Sequence, residues 1–395
     1  MIVPLRRLAV FVIIFVVLSA CAAPENSDEG SGDGGGPAPG DAIKIGVNIE
    51  LSGPAGVQGA AYQNAVELVA AQINETGVLD GQQIELIIRD NKSDPTEALQ
   101  VAKGMIENDN VVGMVGGGSS PTTLSLVDYV ESAGVPIVSM GSSGAIVNPP
   151  DQRTFVFKTP ANTGQIVDVM LEDFAEQGIE SVGFISVDNP YGDAGLQAFQ
   201  AAADEGRVNL VGTEKFPAED RDYTSIVTNL VSANPDAIVV WAIPPGAGIV
   251  AQNAAAAGYE GQLYFDAGAG AELFIQGAGE AAEGVRMIHP AVLVADEVQD
   301  APNLEVMQTF YDSYTEEYGD FSGFASYAAD ALNLIVAAIE EAGSIDRTDV
   351  RDALESLTYT GITGVYEMTP TDHGGLSTDS LFVLTVEDGE WTLAA

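Results

Sequence analysis

Apolar residues in this chain fall into short runs rich in Val and Ile, bounded by Gly or Pro. Between them lie stretches in which apolar positions recur every three or four residues. The runs read as strands buried on both faces of a parallel sheet, and the stretches as amphipathic helices. Residues 43–51 form the first strand. A helical pattern over 60–74 follows, with Ala65, Leu68, Val69 and Ile73 on one face, then a strand at 83–89 and a helix opened by Pro95. In residues 111–144, VVGMVGGGSSPTTLSLVDYVESAGVPIVSMGSSG, two apolar runs flank a helical pattern. One ends in Gly116, Gly117, Gly118, Ser119 and Ser120, the other in Gly141, Ser142 and Ser143. Parallel strands ending side by side in this way gather unpaired N–H groups and hydroxyls, which welcome a small anion such as a carboxylate; ordinary Gly-Ser turns share the pattern.

After an extended piece at 154–160 the alternation restarts. A helix over 164–177 carries Ile166, Val169, Met170 and Phe174 as one stripe, followed by a strand at 181–187, the loop DNPYG and a helix to 205. Further strands read at 208–212, 237–242, 261–265 and 284–289, with helices at 223–232 and 248–257 between them. Long helical patterns over 303–318, 322–342 and 347–357 precede extended pieces at 366–371 and 380–386. Alternating strands and helices predict an α/β fold with two doubly wound parallel-sheet lobes, ligands binding at the carboxyl ends of the strands. Residues 42–160 and 290–366 make one lobe, and residues 161–289 and 367–395 the other. Three hinge crossings join them, at 159–163, at 290–300 and at the 366/367 boundary, an arrangement that favours rigid-body opening and closing of a cleft.

Length and charge narrow the picture. The 395 residues suffice for two cores, and 14 Lys plus Arg against 58 Asp plus Glu give a formal charge of −44. Such a surface repels phosphate backbones and excludes nucleic acid as a partner; it serves either as a solubilising shell or as an adaptation to salt. At the N-terminus Arg6 and Arg7 precede an apolar stretch at 8–17, and Leu18, Ser19, Ala20 and Cys21 resemble a bacterial lipobox. Residues 1–20 then form a lipoprotein signal peptide, exported by the Sec or the Tat route. Cys21, the chain's one cysteine, is the lipidation site, and residues 21–41 are a flexible tether. The folded part is expected outside the cytoplasmic membrane, anchored to it by lipid.

Catalytic chemistry is poorly supplied. The two histidines, His289 and His373, lie beside Pro290 and in a Gly-rich turn, and no G-x-S-x-G accompanies them. There is no metal-ligand spacing, and Asp90 to Asp94 lacks the Gly and distal Glu of an EF-hand. The glycines of MVGGGSSPT miss the dinucleotide spacing because Pro121 stands at the third position. Neither enzyme activity nor a cofactor or metal is expected, and Trp241 reads as core.

Taken in order, IKIGVNIELSGP, QINETGVLDGQQIEL, DNKSDPTEALQVAKGMI, the GGGSS and GSS loops, DNPYGDAGLQAFQ and SYAADALNLI resemble the type I periplasmic binding proteins. Within them the chain resembles the leucine/isoleucine/valine-binding receptors of ABC transporters, over residues 43–391. The resemblance implies a monomer that closes its lobes on a small carboxylate-bearing ligand, such as a branched-chain amino acid, and docks on an ABC-transporter permease. The alternative it leaves open is a sensing receptor for amides, urea or aromatic acids. It also implies site residues. Ser120 matches the serine that holds the ligand carboxylate, and Gly141, Ser142 and Ser143 match the second loop. Tyr191 falls in the loop that closes over the ligand, and Asp266, with Ala267 beside it, is placed to meet the ammonium group. Gln58 stands where amino-acid-binding members often have an aromatic residue, and Gly117 and Gly118 are expected to leave the wall bare. Ser93 and Ser119 occupy positions that a disulfide joins in some relatives.

Overall fold

A computed structural model describes residues 42–394. Residues 1–20, read as a signal peptide, Cys21 and the stretch read as a tether lie outside the described residues. The elements follow the predicted alternation. The first series is β1 (Ile43–Ile49), α1 (Gly59–Thr76), β2 (Ile84–Asp90), α2 (Pro95–Glu107), β3 (Gly113–Gly116), α3 (Ser120–Ala133), β4 (Ile137–Ser139) and β5 (Val156–Lys158). The second is α4 (Thr163–Gln177), β6 (Ser181–Val187), α5 (Pro190–Asp204), β7 (Asn209–Phe216), α6 (Thr224–Ser232), β8 (Ala237–Trp241), α7 (Gly246–Ala256), β9 (Gln262–Phe265), α8 (Glu272–Ala278) and β10 (Arg286–Pro290). The chain ends with α9 (Leu304–Tyr318), α10 (Gly323–Ala342), α11 (Arg347–Leu354), β11 (Thr358–Thr360), β12 (Val365–Glu367), β13 (Leu381–Glu387) and β14 (Glu390–Leu393).

One sheet has the order β2-β1-β3-β4-β5, every neighbouring pair parallel. The other runs β14-β13-β10-β9-β8-β6-β7. Its β10-β9-β8-β6-β7 part is parallel and repeats the first order, read from the opposite edge. The halves thus share element order without detectable sequence repetition. In each, strand order reverses beside the first strand of the series, between β1 and β3 and between β6 and β8. The crevice at such a switch point, beyond the carboxyl ends of the strands, is where open α/β sheets bind ligands.

Two details depart from the sequence reading. The strand read at 284–289 is β10, parallel to β9 on one side but antiparallel to β13 on the other, and β13 continues antiparallel into β14. A two-residue turn at Asp388 and Gly389 makes that hairpin, and both residues have positive φ. The extended piece read at 366–371 holds only β12, which pairs with β11 in a two-stranded sheet apart from both others.

Burial explains the elements. All five residues of β8 are buried, so it reads as an unbroken apolar run; in β1, Ile43, Ile45, Val47 and Ile49 are fully buried, with Lys44 and Asn48 between them. Helix α10 is buried along most of its length, from Phe324 to Ile339, and packs against α1, α11, β3 and β4. Gly343, left-handed at φ 59°, ends it. Trp241 is core, as read: only 1% exposed, with a Cβ on Gly195 falling 2.4 Å from its ring. In the second lobe Arg286 grips Asp173 of α4 through two bonds of 2.7 Å, and the Tyr264 hydroxyl donates to the same carboxylate at 2.5 Å. Near the last crossing, Asp330 of α10 accepts from the amides of Ile362 and Thr363, each at 2.7 Å, and from the Tyr366 hydroxyl at 3.1 Å.

Candidate functional site

A cavity of ≈ 300 Å³ opens at the facing switch points, walled by residues from both sheets. From the first come the loop after β1 with Gln58, Tyr62 of α1, and Gly118, Ser119 and Ser120 at the β3–α3 junction. The second contributes Asp188 to Tyr191 after β6, Ala242 to Gly246 after β8, and Asp266, Ala267 and Gly268 after β9. Pro160 and Ala161 of the first crossing and Tyr327 of α10 complete it.

The two Gly-Ser loops meet as the sequence predicts. Ser120 opens α3 and is 2% exposed; its Oγ accepts the N–H of Ser143 at 3.2 Å. Ser120 and Ser142 stand in the wall, whereas Gly141 and Ser143 lie behind it. The N–H of Gly141 is engaged by Ser139 Oγ at 2.9 Å, so this amide serves the loop's own geometry. Across the cavity Asp266, 1% exposed, accepts from Gly268 N–H at 3.2 Å and from the Tyr191 hydroxyl. Its Oδ1 has no hydrogen-bond partner. Burial raises its pKa to about 7, with the Tyr191 hydroxyl and nearby amides pulling the other way. Gln58 is 4% exposed, its Oε1 also unpartnered.

Residues that the sequence reading passed over shape this wall. Gly117 and Gly118 do not leave it bare. Gly117 has φ +64° and a Cβ there would fall 1.7 Å from Thr123 Oγ1, while Tyr62 covers Gly118 so closely that a Cβ would fall 2.2 Å from its ring. Tyr62 stands one helical turn after Gln58, a spacing that marks a shared face. Tyr62 and Tyr327 are buried and Tyr191 half-buried, and desolvation with neighbouring acids pushes their hydroxyls well up, so all three stay protonated donors. Glu50, the first charged residue after β1, is fully buried just beneath Gly118 and Ser119. Ser93 and Ser119, the two positions without a disulfide, both line the cavity and are hydrogen-bonded locally, Ser93 donating to Ser52 O at 2.7 Å and Ser119 paired with Thr122 at 2.9 Å.

Neither histidine reaches the cavity wall. His289 is buried, bonded through Nδ1 to Pro290 O at 2.7 Å, and burial lowers its pKa to about 4. His373 stacks on Phe157. Among the described residues no group of His, Cys, Asp and Glu is arranged to hold a metal ion.

The buried acids set how stability responds to pH. Burial raises Asp266 to about 7, Asp330 to about 6, and Glu50 above its ordinary value. A carboxyl raised in this way keeps its proton longer in the folded state than in the unfolded one. Its contribution is complete below an unfolded value of about 4 and is lost as pH rises through the folded value. Neutral His289 acts in the opposite direction between about 4 and 6.5, but three acids outweigh one imidazole. Thermal melts of the ligand-free protein should therefore show a lower Tm at pH 7 than at pH 5, and Asp266→Asn should flatten the fall. A Tm that climbs over this interval would contradict the buried-acid assignment.

Two α/β lobes with facing switch points and a shared, polar-ended cavity define a two-lobed solute-binding protein. Residues 42–390 match the periplasmic binding protein family, and the chain belongs to that family, with the type I fold. It is 24% identical over 326 residues to the leucine-, isoleucine-, valine-, threonine-, and alanine-binding protein of Pseudomonas aeruginosa, covering 82% of this chain and 85% of that one. It is 25% identical over 353 residues to Leu/Ile/Val-binding protein homolog 7 of Brucella abortus, covering 86% and 84%. The crystal structure of an extracellular ligand-binding receptor from Rhodopseudomonas palustris superposes with a TM-score of 0.84 at 28% identity, over 90% of this chain and 100% of the receptor. The family binds small solutes, and among the described residues no helix is long and apolar enough to cross a membrane.

Proposed function

We propose that this protein captures a small amino acid, with a branched-chain or related apolar side chain, outside the cytoplasmic membrane. It delivers the ligand unchanged to an ABC-transporter permease and acts as a monomer anchored through lipid on Cys21. The observation that carries the reading is one cavity with donors at one end and an unsatisfied acid at the other. Ser120, braced by Ser143, faces the Tyr191–Asp266 pair across it. A zwitterion spans such a pair, its carboxylate at Ser120 and Ser142 and its ammonium at Asp266 Oδ1. Between these ends lie apolar walls, including Ile166, Val187, Phe216 and Ile243, against which a hydrocarbon side chain is desolvated. The names of the Pseudomonas and Brucella relatives point to the same ligand class. Because the ligand touches both lobes, binding favours the closed arrangement that a permease would read.

Calorimetric titration with leucine, isoleucine, valine and alanine tests the reading, and at least one should bind with stoichiometry of one. Ser120→Ala removes one charge-assisted hydrogen bond worth about 1.5–3 kcal/mol, so affinity should fall by roughly tenfold or more. The fold should survive, since the one bond lost, from the Ser143 N–H, costs only about 1–3 kcal/mol. Unchanged affinity in Ser120→Ala would remove this end of the site.

A further inference from the structure

The loop between β3 and α3 is a ready-made anion nest, and it already holds an anion of the protein's own. Glu50 accepts the N–H of Gly118 at 2.9 Å and of Ser119 at 3.2 Å, the Thr122 hydroxyl at 2.5 Å and the Asn91 amide at 3.2 Å. Every one of these partners donates, which is the shell an ionised carboxylate requires. Gly118 and Ser119 form cavity wall, so their amides are turned away from any ligand and toward Glu50. On the opposite side stands a second buried acid, Asp266, with its free Oδ1. Among the described residues no Lys, Arg or His lines the cavity. Two bases stand just behind the wall and are committed there: Lys158 donates to the carbonyls of Ser142 at 3.3 Å, Pro160 at 2.9 Å and Ala161 at 2.9 Å, and Lys215 pairs with Asp188 at 3.5 Å and with Asp193.

From this arrangement we infer that Glu50 sets the charge of the ligand. By filling the nest, it leaves room for one ligand carboxylate, at Ser120 and Ser142, and bars a second. The inference rests on the reading of the cleft as an amino-acid site and adds a selection rule: zwitterions and cations enter, and dicarboxylic amino acids are rejected. A second ligand carboxylate would feel the charge of Glu50 through the thin wall of Gly118 and Ser119, with no donor left in the nest and no cation in the wall to offset the repulsion.

Leucine and leucinamide share one skeleton and differ at the carboxylate, so their relative affinity reports the field of Glu50. Glutamate supplies the second carboxylate. Wild-type protein should bind leucine at least 100-fold more tightly than glutamate. In Glu50→Gln the preference should shift toward leucine over leucinamide by at least fivefold, and the penalty on glutamate should shrink by at least tenfold. In Glu50→Ala, sodium acetate should occupy the vacated nest, raising the Tm of the variant but not of the wild type, and should restore the wild-type leucine to leucinamide ratio. Ratios unchanged in Glu50→Gln would overturn the assignment while leaving the amino-acid reading intact. If wild type binds neither leucine nor leucinamide, the amino-acid reading fails instead, and the acetate arm then decides for or against Glu50 by whether the Tm of Glu50→Ala rises.

Discussion

Replacing Asp266 by alanine should weaken leucine binding by at least about 100-fold, the largest effect of any single substitution in the cleft. The ammonium of the ligand would lose a buried carboxylate, and breaking one half of a buried ion pair costs about 3–5 kcal/mol because the remaining charge has no solvent to fall back on. The same residue should make binding depend on pH. In the empty cleft Asp266 titrates at about 7, and an ammonium engages only its ionised form. Affinity should therefore rise as pH increases through 7 and level off above it, with one proton released per ligand bound at lower pH. Titrations in buffers of different ionisation enthalpy measure that release directly. Asp266→Asn should show weak binding without the pH dependence. A normal affinity in Asp266→Ala, or a wild-type affinity that falls between pH 6 and 8, would take Asp266 out of the site.

The second large effect concerns stability. Asp330 sits on α10, the most deeply packed helix, and ties Ile362 and Thr363 to it through their amides while also receiving the Tyr366 hydroxyl. Tyr366 in turn donates to Thr159 O at 3.2 Å, and Thr159 donates to Tyr327 O at 3.0 Å, so the network binds the first crossing, the cavity-lining stretch of α10 and the segment leading to the last crossing. Asp330→Ala leaves the buried amides of Ile362 and Thr363 unmet, each costing about 1–3 kcal/mol, while the Tyr366 hydroxyl keeps Thr159 O as acceptor, and the protein should lose at least about 2 kcal/mol of stability. Chemical denaturation would measure this as a lower midpoint. Loss of under about 1 kcal/mol would mean that solvent enters and satisfies the freed groups. Asp330→Asn retains an acceptor and should fall between the two.

How far such residues were legible in the sequence depends on what makes them matter. The strands were plain because burial on both faces forces an unbroken apolar run in β8, and β1 keeps Ile or Val at every second position despite Lys44 and Asn48. The meeting of Ser120 with Ser143 was plain because parallel neighbours with glycine-rich ends must bring those ends together. Asp266 followed from the family likeness and its place after β9. Glu50, Tyr62, Tyr327 and Asp330 escaped for a different reason. The roles of Glu50 and Asp330 rest on partners from 32 to 72 positions away, those of Tyr62 and Tyr327 on surrounding burial, and no local periodicity encodes that. Glu50 in particular reads only as a polar residue near the end of the first strand until the β3–α3 loop closes over it. The glycines misled in a similar way: an absent side chain reads as open space, yet Tyr62 and Thr123 already fill the room beside Gly118 and Gly117. The antiparallel pair β13 and β14 was hidden because an edge hairpin carries the same apolar runs as the parallel strands it joins.

The most direct test is a crystal structure of the protein grown with the amino acid that binds it best in titration. The ligand carboxylate should lie against Ser120 and Ser142, its nitrogen should be within hydrogen-bond distance of Asp266 Oδ1, and Glu50 should still hold the amides of Gly118 and Ser119. A ligand bound outside this cavity, or turned so that its carboxylate meets Asp266, would contradict it.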